Sequence, residues 1–299
     1  MTGSGKKQIC ASDCKFETLS ISGMIRIARQ TLTASPLKLT GWTLLFFFLL
    51  MALLAPFIAP WDPRETGIPY LPPSSDHLLG TNDIGQDILS ELIFASRVSL
   101  TIGLLAGIVS ILIGVVVGLL AGYYRGWIEE LLLAVEDMVL LIPGLPLMII
   151  LAAYLSPSMW NIILVVGLLW WCSTARVVHS RVLQLREMPF VEAARSLGCS
   201  DGYIILRHIL VNTKEIVYAK FALAVASAML TEASLSFLGL GDPLNISWGE
   251  MIHFAFSRGG FANDMWWWYL PPGLMVCLSV MGFVLISMEP KRSGKMLEL

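Results

Sequence analysis

Side chains able to do chemistry are sparse in this sequence and spread far apart. The four histidines, His77, His179, His208 and His253, have no G-x-S-x-G, H-E-x-x-H or nucleophile, base and orienter set around them. Gly3-Ser4-Gly5-Lys6-Lys7 has the lysine and glycines of a phosphate-binding loop, but lacks its leading glycine, the Ser or Thr after the lysine and a preceding strand. The chain is therefore expected to catalyse nothing and to hold no nucleotide itself. Cys10 and Cys14 offer half a metal site with no His or second cysteine pair nearby, and Cys172, Cys199 and Cys277 add no C-x-x-C pair. Neither a metal nor a disulfide framework is expected. What remains is a set of charges embedded in apolar sequence: Glu136, Asp137, Lys220 and Glu232. Ionisable groups at membrane depth pair with one another or mark a solute path.

The elements that must position these groups are membrane helices. Apolar residues make up 56% of the 299, charged residues 14%, and the mean hydropathy is +0.72, whereas a soluble domain carries about 25% charged residues. A net charge of −2 leaves no basic face for nucleic acid. Charge-free runs cover Leu39 to Trp61, Val98 to Gly122 and Met265 to Met288, each long enough for one crossing. Met138 to Ala175 is long enough for two and is interrupted at Ser156-Pro157-Ser158, which predicts a helical hairpin. Ile216 to about Leu235 carries Lys220 near one end and Glu232 near the other, and an end lysine can snorkel to the interface. The expected fold class is an all-α membrane protein with six transmembrane helices. A tail over 1–38 precedes a transmembrane domain over 39–289, with a long connection over 176–215 between helices 4 and 5 and a tail over 290–299.

With the N-terminus cytoplasmic, seventeen of the twenty Lys and Arg fall inside, leaving Arg64, Arg97 and Arg258 outside. That asymmetry places both termini in the cytoplasm. The first helix ends in Ala55-Pro56-Phe57-Ile58-Ala59-Pro60, without a small-residue cleavage site, and is expected to be an uncleaved anchor. Trp266-Trp267-Trp268-Tyr269 is expected to form an aromatic belt at the headgroup level. Gly103, Gly107, Gly114, Gly118 and Gly122 recur at helical spacing and predict that the second helix is buried in the bundle or at a subunit interface. Glu136 and Asp137 lie near the start of the third helix, where the helix dipole favours negative charge, and Pro143 and Pro146 are expected to bend that helix.

The long connection, read from Arg186 as REMPFVEAARSLGCSDGYIILRHILVNTKE, predicts two short helices meeting at Gly198. Pro189 suits a helix start, Gly198 a left-handed cap, and Ser200 the cap of the second segment. This helix, glycine, helix pattern resembles the EAA loop of ABC importer membrane subunits. The resemblance implies that Glu192, Ala193, Ala194, Arg195, Gly198, Ser200, Asp201 and His208 form the docking surface for an ATPase subunit. EASLSFLGLG over Glu232 to Gly241, the following Trp248-Gly249-Glu250-Met251, and LGTNDIGQDILSELIFASRVSL over Leu79 to Leu100 are similar to the dipeptide, oligopeptide and nickel permease branch.

Family members usually carry arginines where this chain has Gln86 and Glu91, and a proline where it has Val211. They also have an acidic and basic tail where it has Ile286-Ser287-Met288-Glu289-Pro290. The resemblance implies a permease working with a second permease, two ATPase subunits that hold ATP and Mg, and an extracytoplasmic solute-binding protein, in the lipid of a prokaryotic plasma membrane. Di- or oligopeptides are the implied solutes, with nickel, a metal chelate or an opine as the alternative. Glu136, Asp137, Pro143, Glu232, Ser236 and Trp248 are the candidates for the pathway or outer gate. The rival class, an ATP-independent secondary transporter or channel, calls for internal inverted repeats, and none is visible.

Overall fold

A computed structural model describes residues 36–288. Lys6, Lys7, Lys15, Cys10, Cys14, the Gly3 to Lys7 segment and the final acidic and basic residues lie outside the described residues. Helices dominate the described residues: α1 (Pro36–Ile58), α2 (Ile88–Tyr123), α3 (Trp127–Leu141), α4 (Gly144–Tyr154), α5 (Met159–Leu169), α6 (Trp171–Arg186) and α7 (Pro189–Ser196). A 40-residue helix, α8 (Asp201–Leu240), follows, then α9 (Trp248–Ser257) and α10 (Trp266–Ser287). Helices α1, α2, α5 with α6, α8 and α10 are each long and apolar enough to cross a membrane, and the bent pair α3 and α4 makes six if it is one crossing. The molecule is a multi-pass membrane protein.

Helix α2 is the central post, packed chiefly on α6 and α8. Its glycines permit this. A side chain at Gly107 would meet Val225 of α8, and side chains at Gly114, Gly118 and Gly122 would meet Thr174, Val178 and Val182 of α6. Close backbone approach supplies the dispersion contact that lipid cannot replace with a hydrophobic drive. Helix α1 lies at the periphery, with Phe46, Phe47, Leu53 and Phe57 exposed as a lipid-facing side would be.

Several boundaries differ from the sequence reading. Helix α2 begins ten residues before Val98, because Asp87 caps it by accepting from Ser90 N at 2.8 Å, and its polar first turns are buried under the 61–87 connection. The hairpin turn falls at Ser156 to Ser158 as expected, and Ser158 caps α5. Its first arm bends at Pro143 as expected, sharply enough to break it, and α3 and α4 meet at 83°. Proline forces the residue before it out of the helical region, and Ile142 is extended with φ −85° and ψ 128°.

The connection after α6 also holds one short helix, not two. Past Gly198 the chain enters α8 and stays helical through a π-helical stretch at Ile204–Ile209 to a second at Ser236–Leu240, which kinks at Gly239 with φ +81°. Lys220 therefore lies at the middle of its helix, not near an end. In the tryptophan run, Trp266 is exposed, but Trp268 is fully buried in the core, edge-on to Tyr70 at 6.3 Å. Alternate faces of one helix cannot all meet the headgroups.

Candidate functional site

At one end of the bundle the α7 segment forms a tip. Pro189 opens it at the first helical position, where its missing N–H costs nothing. Val191 and Ala194, three residues apart on one face, are buried against Val178, Val182 and Leu185 of α6 and Ile204, Ile205 and Ile209 of α8. That burial turns Glu192, Ala193, Arg195 and Leu197 outward.

Gly198 ends the helix with φ +79°. Its N–H bonds to Arg195 O at 3.0 Å, and Cys199 N–H bonds to Ala194 O at 3.1 Å. This pair of bonds is the Schellman arrangement, which satisfies the last carbonyls and needs a left-handed residue at Gly198. Ser200 holds the cap position of α8, yet its side chain makes no cap hydrogen bond, which corrects the expected side-chain cap.

Asp201 accepts from the Tyr123 hydroxyl at 2.6 Å, and Arg195 lies over the same ring at 5.7 Å. The His208 ring sits 6.2 Å from Phe190 and 5.6 Å from Tyr203. Phe190, Leu197 and Leu206 leave a hydrophobic exposed surface on the tip. Exposed apolar groups rimmed by charge mark a surface for another protein. The structure thus gathers Glu192, Ala193, Ala194, Arg195, Gly198, Asp201 and His208 at one end. Tyr123, absent from the sequence reading, fastens them to α2.

The opposite end holds a buried polar cluster. Ser236 Oγ donates to Glu232 Oε1 at 2.8 Å, and both residues are almost wholly buried. Ser247 caps α9 by accepting from Glu250 N at 3.3 Å, and Glu250 lies near enough to Glu232 to act on it electrostatically. Burial pushes the Glu250 carboxyl above its usual range, against the opposing pull of His253. For Asp242, burial pushes upward, but hydrogen bonds from Asn245 and from the Leu244 and Met159 N–H groups prevail and hold it below the usual range.

Trp248 is fully buried. Its N–H donates to Ser99 Oγ at 3.1 Å and its indole N–H to Leu92 O at 3.0 Å, so it anchors α9 to α2. The two positions where the resembled family carries arginine share one partner: Asn82 Nδ2 donates to Gln86 Oε1 at 3.0 Å and to Glu91 Oε2 at 3.3 Å.

Between the ends, Arg176 of α6 reaches α3. Its Nη2 donates to Asp137 Oδ1 at 3.0 Å, and its Nε makes an ion contact of 2.9 Å with Glu136 Oε1, outside hydrogen-bond alignment. Glu136 is buried and Asp137 exposed. Pro143 sits at the break beyond them, so the sequence candidates for a pathway fall into two groups at different levels of the bundle.

A family model described as the binding-protein-dependent transport system inner membrane component matches residues 114–288, more than half of the chain. The chain belongs to this family. A second model, the N-terminal TM domain of oligopeptide transport permease C, matches residues 23–73.

This permease is 32% identical over 273 residues to the probable D,D-dipeptide transport system permease protein DdpC of Escherichia coli (strain K12), covering 88% of this chain and 91% of that one. It is 34% identical over 265 residues to the dipeptide transport system permease protein DppC of Alkalihalophilus pseudofirmus, covering 88% and 86%. It is 33% identical over 269 residues to the glutathione transport system permease protein GsiD of Escherichia coli O6:K15:H31, covering 86% and 88%. The match over 114–288 includes the Gly198 turn and the Glu232 to Trp248 segment.

Proposed function

We propose that this permease is one of two membrane subunits of an ATP-driven importer that brings short peptides into a prokaryotic cell. The observation that carries the reading is the Gly198 tip: a short helix locked by a left-handed turn, with Phe190, Ala193, Leu197 and Leu206 facing outward from a packed base. A surface of that form fits a groove on an ATPase subunit. Two ATPase subunits then hold ATP and Mg and do the hydrolysis, while this chain supplies the path. Peptide as solute is supported by the names of the relatives, two of them dipeptide permeases and one a glutathione permease.

In this reading both termini and the Gly198 tip are cytoplasmic, which is the orientation the Lys and Arg asymmetry favours. The connection over 61–87 and the Trp248 end then face outward, where a liganded solute-binding protein docks. ATP closes the ATPase pair, the tip moves with it, and α8 passes the displacement to the buried Glu232, Ser236 and Glu250 cluster. The transporter cycles between inward-open and outward-open forms.

The test is peptide uptake into proteoliposomes holding the complete complex, with binding protein and peptide on one side and ATP on the other. Uptake that requires ATP, binding protein and this chain together is the expected result. Uptake that persists without ATPase subunits, driven by an ion gradient, would overturn the reading in favour of a secondary transporter.

A further inference from the structure

Lys220 lies far deeper in the bundle than an interfacial lysine. Side chains at Gly103 and Gly107 of α2 would meet Met229 and Val225 of α8. The two helices therefore run antiparallel, four residues of one matching four of the other. Five residues further back from Val225, Lys220 is level with about residue 112 of α2, roughly 3 Å from the midpoint of the charge-free run over 98–122 at 1.5 Å per residue. A second contact agrees. Lys220 Nζ donates to Ser173 Oγ at 2.9 Å, and the adjacent Thr174 packs on Gly114.

A cation at this depth does not face lipid; it faces the bundle interior or a water-filled cavity. Lys220 and Ser173 open onto a recess of about 50 Å³ whose lining includes Trp170, Thr174 and Ser227. The recess is open on one side and admits a terminal group of a solute. An ammonium has three donors. Among the described residues Ser173 is the hydrogen-bond partner of Lys220, and no carboxylate forms an ion pair with it. Arg176, one turn further along α6, is already matched by Glu136 and Asp137. Of these two described cations, Lys220 is the one without a carboxylate against it and is placed to meet a solute.

We propose that Lys220, with Ser173 beside it, is a mid-membrane passage site for the carboxylate of the transported solute. The proposal rests on the peptide-importer reading and adds the chemical group that the membrane path recognises. The lysine takes the carboxylate transiently, and the hydroxyls of Ser173 and Ser227 replace part of its hydration. Both are weak enough partners to release it.

The experiment compares alanyl-alanine with its C-terminal amide in proteoliposomes holding the complete complex and its binding protein. Each variant is scored by the ratio of acid to amide uptake relative to wild type, which cancels any preference of the binding protein. Lys220→Met should lower that ratio on the order of tenfold, the scale of one charge-assisted hydrogen bond, and Lys220→Arg should keep it near wild type. Ser173→Asp, which places a competing carboxylate against Lys220, should lower it similarly and decides the matter if Lys220→Met fails to assemble. An unchanged ratio in Lys220→Met and Ser173→Asp, or equal loss of both peptides in assembled complexes, would overturn the carboxylate site while leaving the importer intact. Failure of wild type to take up either peptide with ATP would instead remove the importer reading, and the site with it.

Discussion

The phenol of Tyr123, at the last turn of α2, donates to Asp201 Oδ1, at the first residue of α8, across 2.6 Å. Arg186 at the end of α6 closes the same corner by donating from Nη1 to Tyr123 O at 2.7 Å. Three membrane helices are thereby joined beside the Gly198 turn. Tyr123→Phe removes one hydrogen bond to a carboxylate whose residue is exposed, so the stability cost is about 1 kcal/mol, a Tm decrease of roughly 2 to 4 °C. The larger expected effect is on coupling. ATP hydrolysed per peptide imported should rise while the ATPase still co-purifies; an unchanged ratio would show that this corner carries no motion.

Gly198 offers a graded test. A Cβ at this position meets nothing within 4 Å, so a substitution is penalised by backbone conformation alone. Gly198→Val should cost on the order of 1 to 3 kcal/mol locally, with uptake and ATPase recovery both falling at matched membrane abundance. Gly198→Ala should be milder. Ser200→Ala should sit near wild type, because the Ser200 side chain makes no cap bond. Full uptake with undiminished ATPase recovery in Gly198→Val would exclude the turn as the coupling element.

Orientation is open to direct labelling. Ser75 and Ser200 are both exposed and lie in connections at opposite ends of the bundle. With an impermeant thiol reagent on intact spheroplasts, Ser75→Cys should label and Ser200→Cys should not. The reverse pattern would invert the topology.

Glu250 and Asp242 should give opposite pH slopes. A carboxyl whose folded pKa is raised, as at Glu250, contributes stability at acid pH that is lost as pH rises through the folded value. Glu250→Gln should therefore raise Tm near about pH 8 and have no effect near about pH 4, where the native carboxyl is protonated too. Asp242, held low, contributes stability above the unfolded pKa that is lost as pH falls. Asp242→Asn should accordingly lower Tm near neutrality, by about 1 kcal/mol or roughly 2 to 4 °C. Thermal unfolding of the purified complex across pH reads both; parallel slopes would contradict the assignment.

Charge-free runs and turn residues made most of the helices legible, because burial in lipid forbids charge and proline with serine breaks a helix. Gly198 was legible for the same local reason. The start of α2 was not, since the charges of Glu91 and Arg97 hold the charge-free run to Val98 and onward, whereas the 61–87 connection covers Glu91 and Ser96. Neither was the tie between Tyr123 and Asp201, which are 78 residues apart and paired only by the packing of α2 on α8. The length of α8 was not legible, because hydropathy ends a span at the first charges, whereas backbone hydrogen bonds carry α8 back to Asp201. Pro143 announced a bend, but its 83° follows from where α4 and α5 pack.

At 1.5 Å per residue the part of α8 from Asp201 to Leu235, before the kinked last stretch, measures about 52 Å, longer than the roughly 40 to 45 Å of a whole bilayer with its headgroups. One unbroken rod thus reaches from the Gly198 turn to the Glu232 cluster, and rods convert angle into distance. A tilt of about 5° pivoting at one end sweeps the other through about 5 Å, one full helical turn. No large rearrangement at the Gly198 end is needed to make or break the packing at the Glu232 end.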